Sequence, residues 1–336
     1  MNLINKLMTT EKMKAMVASG YGSHEVLHLQ MVPKPQPKAN EILVKVVTSS
    51  ATTADSMLLS GKPYLGRLFM GLSKPNKPIP GTGFAGVIEA VGEEVSDFEV
   101  GDRVFGETAF GFSANAEYLV VPADGIILTM PENLDYAEAA NFCDGHLTSF
   151  NFLKEIAQIQ PGQSVLINGA SGALGTSAVQ IAKFYGASVT AVCSSKNAGL
   201  VRSLGADAVI DYQQEDFTQS VNPYDFIYDT VGKSSFQACR GILKQGGVYL
   251  SPVLQFPLLF QVVKTSLFGD KKAKFAATGT NSPDKLRNML TEVLSIYQAG
   301  KLKTVIDRQF PLEKLGEAHR HINTGHKKGN IVIHHS

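Results

Sequence analysis

Apolar and polar positions follow two different rhythms along this chain. From Met13 to about Asn141 short alternating stretches prevail, namely KMKAMVAS, EILVKVVTSSA, GFAGVIEAVG, DRVFGE and AEYLVVPA. Val, Ile and alternating polar residues mark these as strands, with GEEV and EVGD as turns between them. That spacing fits a barrel-like all-β unit. From about Phe142 to Thr278 the rhythm changes. SVLIN, SVTAVC, DAVID, DFIYD, VYLS and KFAAT read as short apolar strands, separated by helical stretches such as ALGTSAVQIAKFYG, NAGLVRSLG and SSFQACRGILK. Strands alternating with helices over this length predict a parallel, doubly wound sheet. From Asn281 onward, SPDKLRNMLTEVLSIYQAG reads as a helix that starts at Ser282-Pro283 and stops at Gly300. NIVIHH closes the chain as a strand placed to return to the β unit. No internal repeat or low-complexity tract interrupts this plan.

The 336 residues correspond to about two domains. Hydrophobic residues make up 44% and charged residues 18%, which excludes a disordered chain. Lys plus Arg is 31 against 30 for Asp plus Glu, so the basic excess of a general nucleic-acid binder is missing. Cys143, Cys193 and Cys239 are too few and too scattered for a disulfide framework or a four-cysteine zinc lobe, and the chain reads as cytoplasmic. MNLINKLMTTEKMKAMV lacks an apolar core and reads as a tail before the first strand, not as a leader. The apolar run from Val248 to Phe268 is broken by Pro252 and Pro257 and carries Lys264. It predicts a buried strand followed by an apolar helix, not a membrane span.

The sharpest chemical signal is SVLINGASGALGTSAVQIAK. A strand from Val165 to Asn168 enters a tight loop and then a helix. Set against GxGxxG, the loop is Ala170-Ser171-Gly172-Ala173-Leu174-Gly175, with Ala170 at the first glycine position. Gly172 lets the backbone approach a pyrophosphate, Gly175 lets helix and strand pack closely, and the helix N-terminus offers N–H groups to phosphate. An NAD site places an acid on the ribose about 20 residues further on. Here that region reads Cys193-Ser194-Ser195-Lys196-Asn197, with no acid before Asp207. Ser194 and Lys196 suit a 2′-phosphate, so the cofactor expected is NADPH, with Arg202 as a second basic candidate.

Several runs together resemble the medium-chain dehydrogenase/reductase superfamily, in its zinc-independent, quinone-oxidoreductase-like (zeta-crystallin-like) branch. They are PGTGFAGVIEAVGEEVSDFEVGDRVFG, ANAEYLVVPADGIILTMPENLDYAEAA, the glycine loop, LGADAVIDYQQEDF, YDFIYDTVGK, LKQGGVYLS and GHKKGNIVI. The resemblance implies an α/β protein with a GroES-like β-barrel catalytic domain (1–141 and 279–336). A Rossmann domain with a six-stranded doubly wound parallel sheet (142–278) is inserted in it, and the active site lies in the cleft between the two. It adds Thr148 near the nicotinamide, Tyr212 beside the 2′-phosphate, Val231 and Gly232 along the cofactor, and Val253 or Leu254 at the carboxamide. It also implies a homodimer formed through the edge strand KFAAT. The family's zinc ligands are replaced, with Thr52 at the Cys place and Gly81-Thr82-Gly83 at the Gly-His-Glu signature. Metal-free chemistry is therefore expected. Where the family often has Lys after the last motif's Gly, this chain has Asn330.

Without a Lewis acid, alcohol oxidation loses its main driver. Hydride transfer to a quinone or another activated conjugated carbonyl fits better, with a small apolar or aromatic substrate and neither nucleic acid nor membrane as partner. A 2-alkenal or enoyl double-bond reductase, an alcohol dehydrogenase-like enzyme and a non-enzymatic NADPH-binding sensor are the alternatives. Asp55, Tyr64 and His146 are the candidate proton donors. Set against these roles are a helix cap for Asp55, surface packing for Tyr64 and a buried, satisfied ring for His146; solvent is the remaining proton source. Leu65, Leu68, Phe69 and Met70 are candidates for a lid or wall over the substrate, the alternative being an ordinary helix packed on the barrel. Phe256, Leu258, Phe260 and Phe268 are candidates for a cleft or subunit interface.

Overall fold

The computed structural model describes residues 11–62 and 64–335, without the side chains of Leu65, Phe69 and Phe110. The expected tail up to Thr10, and Leu65 and Phe69 as wall residues, lie outside that description. The chain divides into two compact units: residues 1–140 with 309–324 and 332–336, and residues 141–308 with 325–331.

The first unit is built on strands β1 (Lys12–Ala18), β2 (Leu27–Pro33), β3 (Glu41–Ala51), β4 (Gly83–Val91), β5 (Arg103–Glu107), β6 (Tyr118–Pro122) and β7 (Ile126–Thr129). Helix α1 (Thr53–Leu59) follows β3 directly. Alternation along β3 drives Ile42, Val44 and Val46 into a core with Phe84, Ile88, Val104 and Leu119. Two strands, β2 and β7, were not marked by the sequence pattern. β2 leaves most of its side chains exposed and so shows no clear alternation.

The second unit carries β8 (Ser164–Asn168), β9 (Ser188–Cys193), β10 (Ala208–Asp211), β11 (Tyr224–Asp229), β12 (Leu243–Ser251) and β13 (Lys272–Phe275). They form one six-stranded sheet in the order β10-β9-β8-β11-β12-β13, and every pairing is parallel. This is the dinucleotide-binding order: all strands run the same way, and the direction in which successive strands are added to the sheet reverses between β8 and β11. Helix α2 (Ala173–Phe184) follows β8, and α3 (Phe256–Leu267) follows β12. Leu166, Val192, Ile227 and Tyr249 centre the core.

Helix α4 (Pro283–Gln298) begins as its sequence indicates, with the Ser282 hydroxyl accepting from the Lys285 amide. Its buried stripe of Leu286, Met289, Leu290, Val293 and Ile296 seats it in the second unit. Tyr297 packs against Phe142 with ring centroids 5.4 Å apart, and Lys285 pairs with Glu155 at 3.5 Å. Residues 279–308 therefore lie with the sheet, whereas the sequence reading grouped them with the barrel. Strands β14 (Ile306–Pro311) and β15 (Asn330–His334) complete a seven-stranded sheet ordered β14-β15-β3-β4-β5-β7, with β6 also paired to β3. The return of NIVIHH to the β unit is thus realised.

The strand ahead of α3 is buried, but the helix is not. Leu258 points inward, while Phe256, Phe260, Val263, Leu267 and Phe268 are all exposed. Among the described residues no helix is long and apolar enough to cross a membrane.

Candidate active site

A parallel sheet brings the C-terminal ends of its strands to one edge, and the loops leaving that edge hold most of the residues singled out for the cofactor. A tight turn lies between β8 and α2. Gly169 takes φ +80°, and a Cβ there would sit 2.2 Å from Val231. The left-handed glycine is therefore Gly169, not the position occupied by Ala170, and the motif runs Gly169-Gly172-Gly175. At Gly175 a Cβ would meet the Gly169 carbonyl oxygen at 2.2 Å, so the helix can lie this close only without a side chain. Gly172 is the N-cap of α2 and supplies no capping side chain. The first turn of the helix is left to bind an anion.

Ser171 ties this turn to two neighbours. Its hydroxyl accepts from the Asn197 side-chain amide at 2.9 Å, and its carbonyl accepts from the Gly329 amide at 2.8 Å. Beyond those ties, Asn197 Oδ1 and Asn330 Oδ1 are buried acceptors without a partner. A group bearing hydroxyls and phosphates satisfies this arrangement: ribose donors for the orphaned oxygens, and helix amides for phosphate. Asn330 donates its amide to Val305 O at 3.1 Å, and Lys327 turns back onto Gly329 O at 3.0 Å.

Sequence reasoning did not single out Asp229, at the end of β11, as an organiser of this edge. Its buried carboxylate accepts from Asn168 (2.9 Å), the amides of Val231 (3.1 Å), Gly232 (3.0 Å) and Ser234 (3.1 Å), and the Tyr249 hydroxyl (2.8 Å). Charge-assisted bonds of this kind fix the loop after β11 and join β8, β11 and β12 through one group. The signal available in the sequence was an acid closing the apolar run YDFIYD.

Ser194 stands at the N-cap position of the short turn that holds Lys196 without a side-chain capping bond, and Lys196 is exposed. Tyr212 is half exposed in the loop after β10, and Val231 and Leu254 are exposed after β11 and β12. Val253 closes on Gly232, where a Cβ would meet its side chain at 2.7 Å. Thr148 follows a π-helical stretch, Phe142–Leu147, of the kind frequent at functional sites.

The three proton-donor candidates are not brought together. Asp55 is buried and forms a capping box: its carboxylate accepts from the Thr52 amide (2.9 Å) and hydroxyl (2.8 Å), and its own amide donates to that hydroxyl. Tyr64 is 68% exposed, with the Arg67 guanidinium over its ring at 4.9 Å. His146 is fully buried in the second unit. The Ser177 hydroxyl donates to Ala173 O at 3.0 Å, so it takes the His146 Nδ1–H at 2.8 Å, leaving Nε2 to accept from Thr304 at 2.9 Å. Burial pushes the imidazole down to about 3, and the ring is neutral. The sequence candidate His146 is thereby a satisfied core side chain with no proton to give at neutral pH. Nearby, burial raises Asp144 and lowers Lys327, each opposed by the charge of the other.

Two family models match: the alcohol dehydrogenase GroES-like domain over residues 38–132, and zinc-binding dehydrogenase over residues 204–333. The chain is 31% identical to the 2-methylene-furan-3-one reductase of Solanum lycopersicum, over 96% of this chain and 79% of that protein. It is 30% identical to the chloroplastic NADPH-dependent alkenal/one oxidoreductase of Arabidopsis thaliana, over 96% and 80%. The solved quinone oxidoreductase of Coxiella burnetii superposes with a TM-score of 0.85 at 27% identity, covering 96% and 99%. The chain belongs to the medium-chain dehydrogenase/reductase superfamily, among its quinone-oxidoreductase-like members, and is an oxidoreductase that uses a nicotinamide cofactor. As for the zinc in the second model's description, the described residues contain no group of three or more His, Cys, Asp or Glu placed to hold a metal ion. All three cysteines are buried and none forms a disulfide.

Proposed function

We propose that this protein is an NADPH-dependent reductase of quinones and α,β-unsaturated carbonyls that works without a metal. The observation that carries the reading is the sheet edge. An uncapped helix follows the Gly169-Gly172-Gly175 turn, and Ser194 and Lys196 stand where an NAD site would place an acid. When bound, NADPH supplies hydride to the electrophilic carbon or ring, and a proton taken up from water completes a two-electron reduction that leaves NADP⁺. The amides of α2 hold the pyrophosphate. Ser194 and Lys196 hold the 2′-phosphate with Tyr212 alongside, and Asn197 and Asn330 accept from ribose hydroxyls. Thr148, Val253 and Leu254 border the nicotinamide, and Asp229 keeps the intervening loops fixed. Asp55 and His146 have their polar atoms committed to structure, which favours water as the proton source.

The relatives named for alkenals and a methylene-furanone support conjugated C=C bonds as acceptors beside quinones. A homodimer is supported by the lysine-bearing edge strand β13 and by the exposed apolar stripe of α3 packed next to it. A reducing, cytoplasmic setting is supported by the three cysteines, none of which forms a disulfide. The test is loss of NADPH absorbance with p-benzoquinone and with a 2-alkenal, and gain of NADPH absorbance when NADP⁺ is offered with a primary alcohol. Each is run with and without chelator and against NADH, with the mass in solution measured on the same sample. Chelator-insensitive turnover preferring NADPH is expected. NADPH binding with no turnover would establish a sensor, and chelator-sensitive alcohol oxidation would overturn the metal-free reading.

A further inference from the structure

Between β5 and β6 three non-glycine residues within five positions adopt left-handed backbone: Ala109 (φ 46°), Phe112 (φ 53°) and Ser113 (φ 77°). L-residues take this conformation at a cost, and such strain gathers where a side chain must be aimed. Backbone bonds offset it, from Thr108 to Thr82 O (3.0 Å), Ser113 to Ile79 O (3.0 Å) and Ala114 to Gly81 O (3.1 Å). The Phe112 side chain so directed forms one wall of a cavity of about 270 Å³, with Tyr21, Asp55, Leu58, Leu59 and Met70 among the others.

The lining around Tyr21 is stiffened as well. The Arg67 guanidinium lies over the Tyr21 ring at 4.4 Å and over Tyr64, and donates to Gly61 O (3.0 Å) and Ser60 O (3.3 Å). Tyr21 donates its hydroxyl to Gly71 O at 2.7 Å. Tyr64, exposed as a proton donor, thus has a place in this stack. Because Asp55 is occupied by its capping box, the cavity presents chiefly apolar surface.

We infer that this cavity is the selectivity pocket for the organic acceptor, and that it takes the apolar part of a small one. A single six-membered ring or a short alkyl chain next to the conjugated carbonyl fits; fused rings and long chains do not. Phe112 sets the length limit. The inference rests on the reductase reading above. The volume falls just below the range of about 300–1,000 Å³ typical of pockets for drug-sized ligands, which suits a small occupant.

The experiment measures kcat/KM with NADPH for alkenals from crotonaldehyde to nonenal, in the wild type, Phe112→Ala and Leu58→Ala. It also measures cyclohexanone binding by calorimetry in the wild type and Leu58→Trp. In the wild type, efficiency falls at least about tenfold from the short to the long aldehyde. Both alanine variants raise the long-to-short ratio by about tenfold, the scale of one or two methylenes in an apolar pocket. NADPH affinity stays unchanged throughout. Leu58→Trp fills the cavity and abolishes cyclohexanone binding. An unaltered length ratio in both alanine variants, with turnover intact, overturns the inference, as does cyclohexanone binding that Leu58→Trp leaves untouched. Should no aldehyde or quinone be reduced while cyclohexanone binds and Leu58→Trp blocks it, the pocket stands and the reductase reading falls.

Discussion

At the sheet edge of the second unit, backbone groups do most of the shaping. A left-handed glycine, an uncapped helix and three loop amides gathered on Asp229 fix the loops to one another. In the first unit, the cavity is shaped instead by side chains from separate segments, with Phe112, Tyr21 and Leu58 all lining it. The contrast suits a division of labour. A cofactor shared by many enzymes can be held by main chain, which a substitution alters little, whereas an acceptor pocket built of side chains can be retuned one residue at a time.

That contrast is broken most directly at Gly175. Adding one methyl group there drives a Cβ to 2.2 Å from Gly169 O and 2.5 Å from Ala170 Cα. Gly175→Ala is expected to weaken NADPH binding about 100-fold or more, equivalent to roughly 2.7 kcal/mol, read by titration calorimetry. A variant binding normally would show that the backbone cradle does not set affinity.

A smaller effect tests whether the second unit is held by buried polar groups. His146 binds no proton in the fold until about pH 3, but does so near pH 6.5 when unfolded. The unfolded chain therefore holds more protons between those values, so stability is full above about 6.5 and falls as the pH drops through the window. The midpoint of thermal unfolding should drop by about 5–10 °C between neutral pH and pH 4. His146→Asn should be less stable at neutral pH and show a shallower acid limb; equal slopes would remove His146 from the account.

The mildest change sharpens the comparison at the side-chain contribution to cofactor choice. Lys196→Ala should raise KM for NADPH about tenfold, or 1.4 kcal/mol, with kcat and the NADH reaction unmoved. An equal loss for both cofactors would place Lys196 away from the 2′-phosphate.

The sheet and its cofactor loops were legible in the sequence because their determinants are local. Each strand is a short apolar run, and the turn is spelled by glycines within a few residues of each other. Even there the frame moved by one, since only backbone angles distinguish Gly169 from Ala170 as the left-handed position. Asp229 was missed because its partners are spread from Asn168 to Tyr249, a long-range gathering that spacing does not reveal. The cavity of the first unit was harder still. Phe112 becomes a wall residue through a loop conformation that L-residues avoid, which no propensity would suggest. The exposure of α3 was likewise hidden, since an apolar helix looks the same in sequence whichever way its face turns.

The placement of β15 bears on how the protein is made. This strand sits inside the seven-stranded sheet, between β14 and β3, yet it is separated from β3 by the entire second unit. A ribosome therefore delivers a complete set of dinucleotide-sheet strands while the barrel sheet still lacks an interior member. Until residues 330–334 emerge, the part of β3 beyond its Glu41–Lys45 pairing with β6 offers an unpaired flank on which another nascent chain can settle. The sheet unit is placed to fold first, and the barrel's closing step is of high contact order and slow. Chaperone demand during synthesis should accordingly fall on the barrel.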